Sequence, residues 1–222
     1  MFRYNTGRLQ YPERSIGPFW KGFDNNLYHE FKPEITFDYH GYPFIEKIIF
    51  ENEDASFEEV GMIDHPDAEY SSVIAAHIFK LKNLNKIIIA GFGQDMWQGG
   101  MACAEVYNDE MEVKGFSLAD LGLTSVNIGM NSDNYYYLAG MAGNQPSLIR
   151  VDPSGFPHVA TDLIPKGELD IYKMIVSADD VVTFHAQRMS TGNIIIGEIS
   201  PDGDITELEN IGSEVMQLVR IQ

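Results

Sequence analysis

The sequence predicts an all-β protein built from repeated four-stranded antiparallel sheets. Short runs of β-branched and aromatic residues recur along the chain, separated by clusters of Gly, Asn, Asp and Pro. Helix signals are scarce, and the best candidate, Ala119–Leu123, is short and contains a glycine. The C-terminal half repeats one pattern of strands and turns, which indicates a repeat architecture.

The clearest repeat relates residues 124–163 to residues 170–212. Each segment contains four strand-like runs, with turns in matching places. Asp152-Pro153-Ser154-Gly155 in the first segment matches Ser200-Pro201-Asp202-Gly203 in the second, and the final glycines of these two turns are 48 residues apart. Gly supplies positive φ in such turns, and Asp or Ser hydrogen-bonds to its own backbone.

The pattern continues upstream with less regularity. Residues 73–117 give a third set of strands and residues 34–63 a fourth, while residues 1–33 remain unassigned. At the other end, residues 214–222 look like one more first strand, with no blade after it.

With these turns, the repeats between Thr124 and Gly212 resemble those of the β-propeller superfamily. The resemblance covers residues 73–212 and concerns the fold only. It implies a single propeller domain over residues 1–222 with four or five four-stranded antiparallel blades, or a piece of a larger propeller. A β-sandwich is the alternative fold.

The resemblance also implies which strands lie innermost and how a ring would close. The candidate blades are residues 34–63, 73–117, 124–163 and 170–212, with the strand at 214–222 pairing with N-terminal chain to close the ring. The innermost strands are expected at Ala75–Lys80, Ser125–Met130, Ile171–Val176 and Val215–Ile221.

The net charge of the chain makes some classes of binding partner unfavourable. The chain has 15 Lys and Arg against 33 Asp and Glu, a formal net charge of −18. Such a surface repels phosphate backbones and anionic lipids, so we expect neither nucleic-acid binding nor membrane insertion. Solubility is the simplest reason for this charge, and a cationic partner or bound metal ions are the alternatives.

The single cysteine and the N-terminal residues are the features that relate to the cellular compartment of the protein. Cys103 alone forms no intrachain disulfide and no cysteine-rich zinc site. The first residues contain no apolar signal-peptide segment, and no run reaches the length of a membrane span. We therefore expect either a cytoplasmic protein or a mature or excised form of a secreted one.

The loops between second and third strands supply the candidate binding residues. In a propeller these loops share one face, and here they carry an aromatic ring, amides and one cation. The candidates are Gln94, Trp97, Gln145, Gln187 and Arg188. Trp97 is suited to stacking on a sugar or a peptide side chain, and Arg188 to holding a carboxylate. The alternatives are that Trp97 covers the end of a blade and that Arg188 forms a surface ion pair.

No catalytic, metal or cofactor site can be assigned. The six histidines show no close metal-ligand spacing, and His185, which alternates with Thr183 on a strand, is interpreted as a core histidine with satisfied hydrogen bonds. No nucleophile elbow, phosphate loop or dinucleotide fingerprint is present. With this many acidic residues, no carboxylate pair stands out as a glycosidase pair.

Two function classes remain. The first, which the absence of catalytic motifs favours, is a non-enzymatic binding or assembly module that presents one propeller face to a protein or glycan. The second is a carbohydrate-active hydrolase or lyase with its site at the mouth of the channel. The fold alone establishes neither activity.

Overall fold

The structure is a computed structural model, and it describes residues 15–32, 44–51, 54–62, 74–92, 102–107 and 113–212. In these residues sixteen strands form four antiparallel sheets of four strands each. The helical segments within them are two short 3₁₀ turns, Lys82–Leu84 and Ala119–Leu121. The predicted all-β fold of repeated four-stranded sheets is therefore confirmed.

A search of the described residues finds no helix with the length and apolar character needed to cross a bilayer.

The N-terminal unit spans residues 1–120 and contains two sheets. Sheet 1 has the order β1 (Ser15–Lys21), β2 (Leu27–Lys32), β3 (Phe44–Glu51) and β4 (Asp54–Met62). Sheet 2 has the order β5 (Ile74–Leu81), β6 (Lys86–Phe92), β7 (Ala102–Tyr107) and β8 (Val113–Ser117).

The C-terminal unit spans residues 121–222 and contains the other two sheets. Sheet 3 consists of β9 (Ser125–Asn131), β10 (Tyr136–Ala142), β11 (Gln145–Asp152) and β12 (Val159–Asp162). Sheet 4 consists of β13 (Leu169–Val176), β14 (Val182–Arg188), β15 (Ile194–Ile199) and β16 (Ile205–Gly212). In every sheet each strand pairs with the next along the chain.

Three of the strands expected to be innermost coincide with first strands of sheets. These are β5, β9 and β13, and each lies at one edge of its sheet. The fourth, Val215–Ile221, and with it the closing strand expected at 214–222, lies outside the described residues.

Sheet 1 differs from the blade expected at residues 34–63, because it begins at Ser15 and takes in β1 and β2. A bulge between Ile16 and Phe19 interrupts the pairing of β1 with β2, and Gly17-Pro18 lies inside it. Proline donates no hydrogen bond and is tolerated in edge strands and at bulges, and β1 is an edge strand. The bulge breaks the alternation by which a strand is recognised. Residues 33–43, expected to start this blade, lie outside the described part.

In the N-terminal unit, sheet 2 reaches the first turn of sheet 1 through one lysine. The Lys80 ammonium donates to the carbonyl oxygens of Lys21 and Gly22 and lies 4.4 Å from the centre of the Phe23 ring. In the same turn the Tyr28 hydroxyl donates to Asp24 at 2.6 Å. These contacts fix the β1–β2 turn beside β5.

In the C-terminal unit, sheets 3 and 4 pack face to face around one apolar core. Sheet 3 contributes Tyr137, Ala139 and Leu148 to this core. Sheet 4 contributes the side chains on the facing side of its first three strands, among them Ile171, Met174, Val182, Phe184, Ala186, Ile195 and Ile199. Burial of these side chains against each other is the main favourable term in the pairing of the two sheets.

Two polar side chains of sheet 3 also reach turns of sheet 4. The Tyr137 hydroxyl donates to the Asp180 carboxylate at 2.8 Å, and Arg150 Nη1 donates to the Pro201 carbonyl at 2.9 Å. Burial, the hydrogen bond and the negative charge of Asp180 raise the pKa of Tyr137 above its ordinary value. Both polar groups are thus satisfied by the neighbouring sheet.

Gly140→Ala is expected to destabilise the C-terminal unit. A Cβ at this position would overlap the Ser125 carbonyl oxygen and lie 2.7 Å from the Val126 Cα, so β9 would have to move. Overpacking of this kind costs about 1–3 kcal/mol, and thermal unfolding should show a lower midpoint. Gly155→Ala is the matched control, because a Cβ there has no atom within 4 Å. Equal midpoints for the two variants would contradict the close approach of β9 and β10.

Tyr137→Phe is expected to lower the free energy of unfolding by about 1–3 kcal/mol, because the hydroxyl donates to a charged acceptor in a part-buried position. Urea denaturation of Tyr137→Phe, Asp180→Asn and the double variant measures the coupling. Asparagine suits the positive φ of 63° at position 180. The effect of Asp180→Asn should largely vanish in the Tyr137→Phe background, and strictly additive effects would argue against the bond.

Candidate functional site

Sheet 4 has a second face, turned away from sheet 3, which we call the open face. Residues that pair directly across neighbouring strands lie on the same face of a sheet. One row of pairs runs Lys173, His185, Ile196 and Glu209, and the next runs Ile175, Thr183, Glu198 and Thr206. A third row begins with Asp170, Gln187 and Ile194. Ile175 is 57% exposed.

A groove of about 460 Å³ combines residues of this face with Ile128 and Met130 of β9 in sheet 3, and with two residues of the core side of sheet 4. Its lining is mostly apolar, with a few polar groups among aliphatic and aromatic side chains. The lining residues are Ile128, Met130, Tyr172, Lys173, Met174, Ile175, Thr183, Phe184, His185 and Ile196. A concave apolar site of this size with few polar groups is typical of binding sites in proteins.

His185 is one of the polar residues that line the groove. Its side chain is 9% exposed, and its Nδ1 atom is buried with no hydrogen-bond partner among the described residues. Burial lowers the pKa of His185 below its ordinary value, and the Lys173 ammonium opposite lowers it further. The imidazole is therefore neutral at pH 7 and retains an unused hydrogen-bonding atom. Buried polar groups in proteins are nearly always satisfied, so this exception calls for a reason.

Tyr172 and Gln187 form the polar border of the groove beside His185. The Tyr172 ring meets the His185 ring edge to face at 5.7 Å, and its hydroxyl donates to Gln187 Oε1 at 3.0 Å. The Gln187 amide nitrogen donates in turn to the Gly192 carbonyl at 2.9 Å. Tyr172 lies at a bulge of β13, between Ile171 and Lys173, which explains its projection beside the regular rows.

Arg188 is occupied within the chain. Its Nη2 atom lies 2.6 Å from Glu207 Oε1, so its charge is already paired, while its Nε atom is buried without a partner among the described residues. Arg188 ends β14 on the face opposite to Gln187, because side chains alternate along a strand. The structure thus separates these two neighbouring candidates onto different faces.

Gln145 is exposed at the start of β11, and it lies at the same end of the C-terminal unit as the β14–β15 loop. The segment that joins sheets 3 and 4 links the two loops: Gly167 N–H donates to the Pro146 carbonyl, and Met189 N–H donates to the Glu168 carbonyl. The remaining candidates, Gln94 and Trp97, lie outside the described residues. Of the three candidates that the structure describes, Gln187 lies at the border of the groove, through its hydrogen bond with Tyr172.

Within the described ranges, no group of three His, Cys, Asp or Glu side chains is placed to hold a metal ion.

The open face of sheet 4 is equivalent, position by position, to the buried face of sheet 3. The first hairpin of sheet 3 closes with the Asn131–Tyr136 pair and that of sheet 4 with the Val176–Val182 pair. Counting from these pairs, Thr183 corresponds to Tyr137 and His185 to Ala139. Their cross-strand partners correspond in the same way: Glu198 matches Arg150, and Ile196 matches Leu148.

This equivalence defines what the open face can do. In sheet 3 these positions are covered by the next sheet, and Tyr137, Ala139 and Leu148 are almost fully buried there. At the equivalent positions sheet 4 has Ile175, which is 57% exposed, where sheet 3 has Met130, which is 38% exposed, and it has the unsatisfied His185 imidazole where sheet 3 has Ala139. The face is therefore a sheet-packing surface with its own pattern of polar groups. Alternation along β13, β14 and β15 was the sequence signal that could have identified it.

Comparison with known proteins supports the fold. No protein-family model and no curated protein sequence matches the chain. Among solved structures it is similar to a gluconolactonase from Xanthomonas campestris, with 10% identity and a TM-score of 0.50, covering 86% of this chain and 60% of that one. The chain thus spans about three fifths of the length of that protein.

Two glycoside hydrolases give weaker likenesses. An α-L-arabinofuranosidase from Lactobacillus brevis has 12% identity and a TM-score of 0.40, covering 89% of this chain and 75% of that one. An α-L-arabinanase from Cellvibrio cellulosa has 13% identity and a TM-score of 0.36, with coverage of 85% and 75%. At 10% identity, the likeness to the gluconolactonase shows the fold alone. The fold is that of the β-propeller proteins, as the repeats of the sequence predict.

Proposed function

We propose that this protein is a non-enzymatic binding module whose open face holds a protein partner. The observation that carries the proposal is the equivalence of this face with the face of sheet 3 that is buried against sheet 4. A surface shaped to pack on a β-sheet, with an isoleucine that is 57% exposed, suits a polypeptide partner.

The polar groups of the groove support specific recognition. The apolar lining supplies the area for burial, while His185 and Thr183 supply polar atoms that fix the orientation of what binds.

A photoreactive benzoylphenylalanine at position 175 tests the proposal in the native host. Irradiation should yield an adduct with another polypeptide, identified by mass spectrometry. The same residue at position 159 is the matched control, since Val159 is 63% exposed on β12, outside the open face. Adducts formed only within the chain, or equal adducts from both positions, would refute the proposal.

A lyase acting on an acidic polysaccharide is the second candidate, favoured by one observation. The groove combines a neutral imidazole, a phenol and an ammonium group in His185, Tyr172 and Lys173. A neutral base that abstracts a proton and a cation that holds a uronate carboxylate are the groups that β-elimination requires. Among the described residues no carboxylate lines the groove, so a glycosidase with paired carboxylates is the less favoured form of carbohydrate activity.

The second candidate predicts formation of unsaturated sugar products, followed by their ultraviolet absorbance, from alginate, pectate or ulvan. His185 would act as the base in its neutral form, so activity should rise with pH through the range below about 6.5 and then level off. His185→Asn should abolish the activity without removing the fold. Absence of product from all three polysaccharides, with crosslinking retained at position 175, would leave the binding module as the function.

A further inference from the structure

We infer that the partner of the open face is a basic polypeptide segment, which brings a cationic side chain to Glu198. This inference rests on the proposed function and names the chemistry of its partner. It follows from a comparison of sheet 4 with sheet 3 at equivalent positions.

The first step concerns the charged position of the interface. In sheet 3, Arg150 reaches across to the next sheet and donates to the Pro201 carbonyl at 2.9 Å. Glu198 lies at the equivalent position in sheet 4, so a hydrogen-bond acceptor replaces a donor there. A carboxylate only accepts hydrogen bonds, and whatever covers Glu198 must therefore donate. Lysine and arginine donate and also compensate the charge.

The second step concerns the charge of the whole face. Asp170, Glu198 and Glu209 lie on it, and Lys173 is the one basic residue of its three described rows. His185 adds no positive charge at pH 7, because burial and Lys173 lower its pKa. The formal charge of the protein, −18, also favours a basic partner at distances beyond direct contact. An acidic partner would be repelled before contact, whereas a basic one would be steered towards the face.

Two synthetic peptides with the same Val- and Thr-rich extended core, one flanked by lysines and the other by glutamates, test the inference by fluorescence anisotropy at low salt. The lysine-flanked peptide should bind about tenfold or more tightly, with an affinity that falls as salt is added. Glu198→Lys should remove or reverse this preference. Asp202→Lys is the control, because it makes the same charge change on the exposed β15–β16 turn.

The outcomes distinguish a failure of this inference from a failure of the proposed function on which it rests. Equal binding of both peptides, or equal effects of the two lysine variants, would overturn the basic partner and leave a docking face of another specificity. Failure of both peptides to bind, with a protein adduct still formed at position 175, would also overturn it. Failure of both peptides together with loss of that adduct would mean that the proposed function itself is wrong.

Discussion

A sheet of four antiparallel strands has two faces, and the need to cover both governs this structure. In β10 the five residues from Tyr136 to Gly140 are all buried, so the usual alternation of buried and exposed side chains disappears. Sheets 3 and 4 each remove one face of the other from water, and this burial is the main favourable term in their pairing. The core between sheets 3 and 4, with its polar contacts through Tyr137 and Arg150, is the best described case.

The sequence predicted the sheets well where turns are strongly marked. Turns such as those ending in Gly155 and Gly203 join the third and fourth strands of sheets 3 and 4, and the first strands of three sheets lie within two residues of their expected bounds. The blade expected at residues 34–63 begins at Ser15 in the structure. The bulge around Gly17-Pro18 interrupts the alternation of side chains in β1, so a rule based on alternation does not recognise this strand. Local pattern thus located strands with regular pairing and missed the irregular one.

The candidate site was less accessible from the sequence, for two physical reasons. The pairing of Arg188 with Glu207 joins two strands that are not adjacent in the sheet, so no local pattern indicates it. His185 was interpreted as a satisfied core histidine, since alternation with Thr183 indicates a shared face but not whether that face is covered. Coverage depends on which sheet follows in space. Comparison between repeats made Ala139 and Arg150 the references for His185 and Glu198.

The polar contacts between sheets 3 and 4 have a consequence for synthesis. Tyr137 finds its acceptor 43 residues further along the chain, and Arg150 finds one 51 residues further. As the chain emerges from the ribosome, the four strands of sheet 3 are therefore synthesised before the groups that accept hydrogen bonds from Tyr137 and Arg150. Non-local contacts of this span form late and couple the elements that make them. Sheet 3 consequently gains its native packing only when most of sheet 4 has been translated, and the two sheets mature as one cooperative unit.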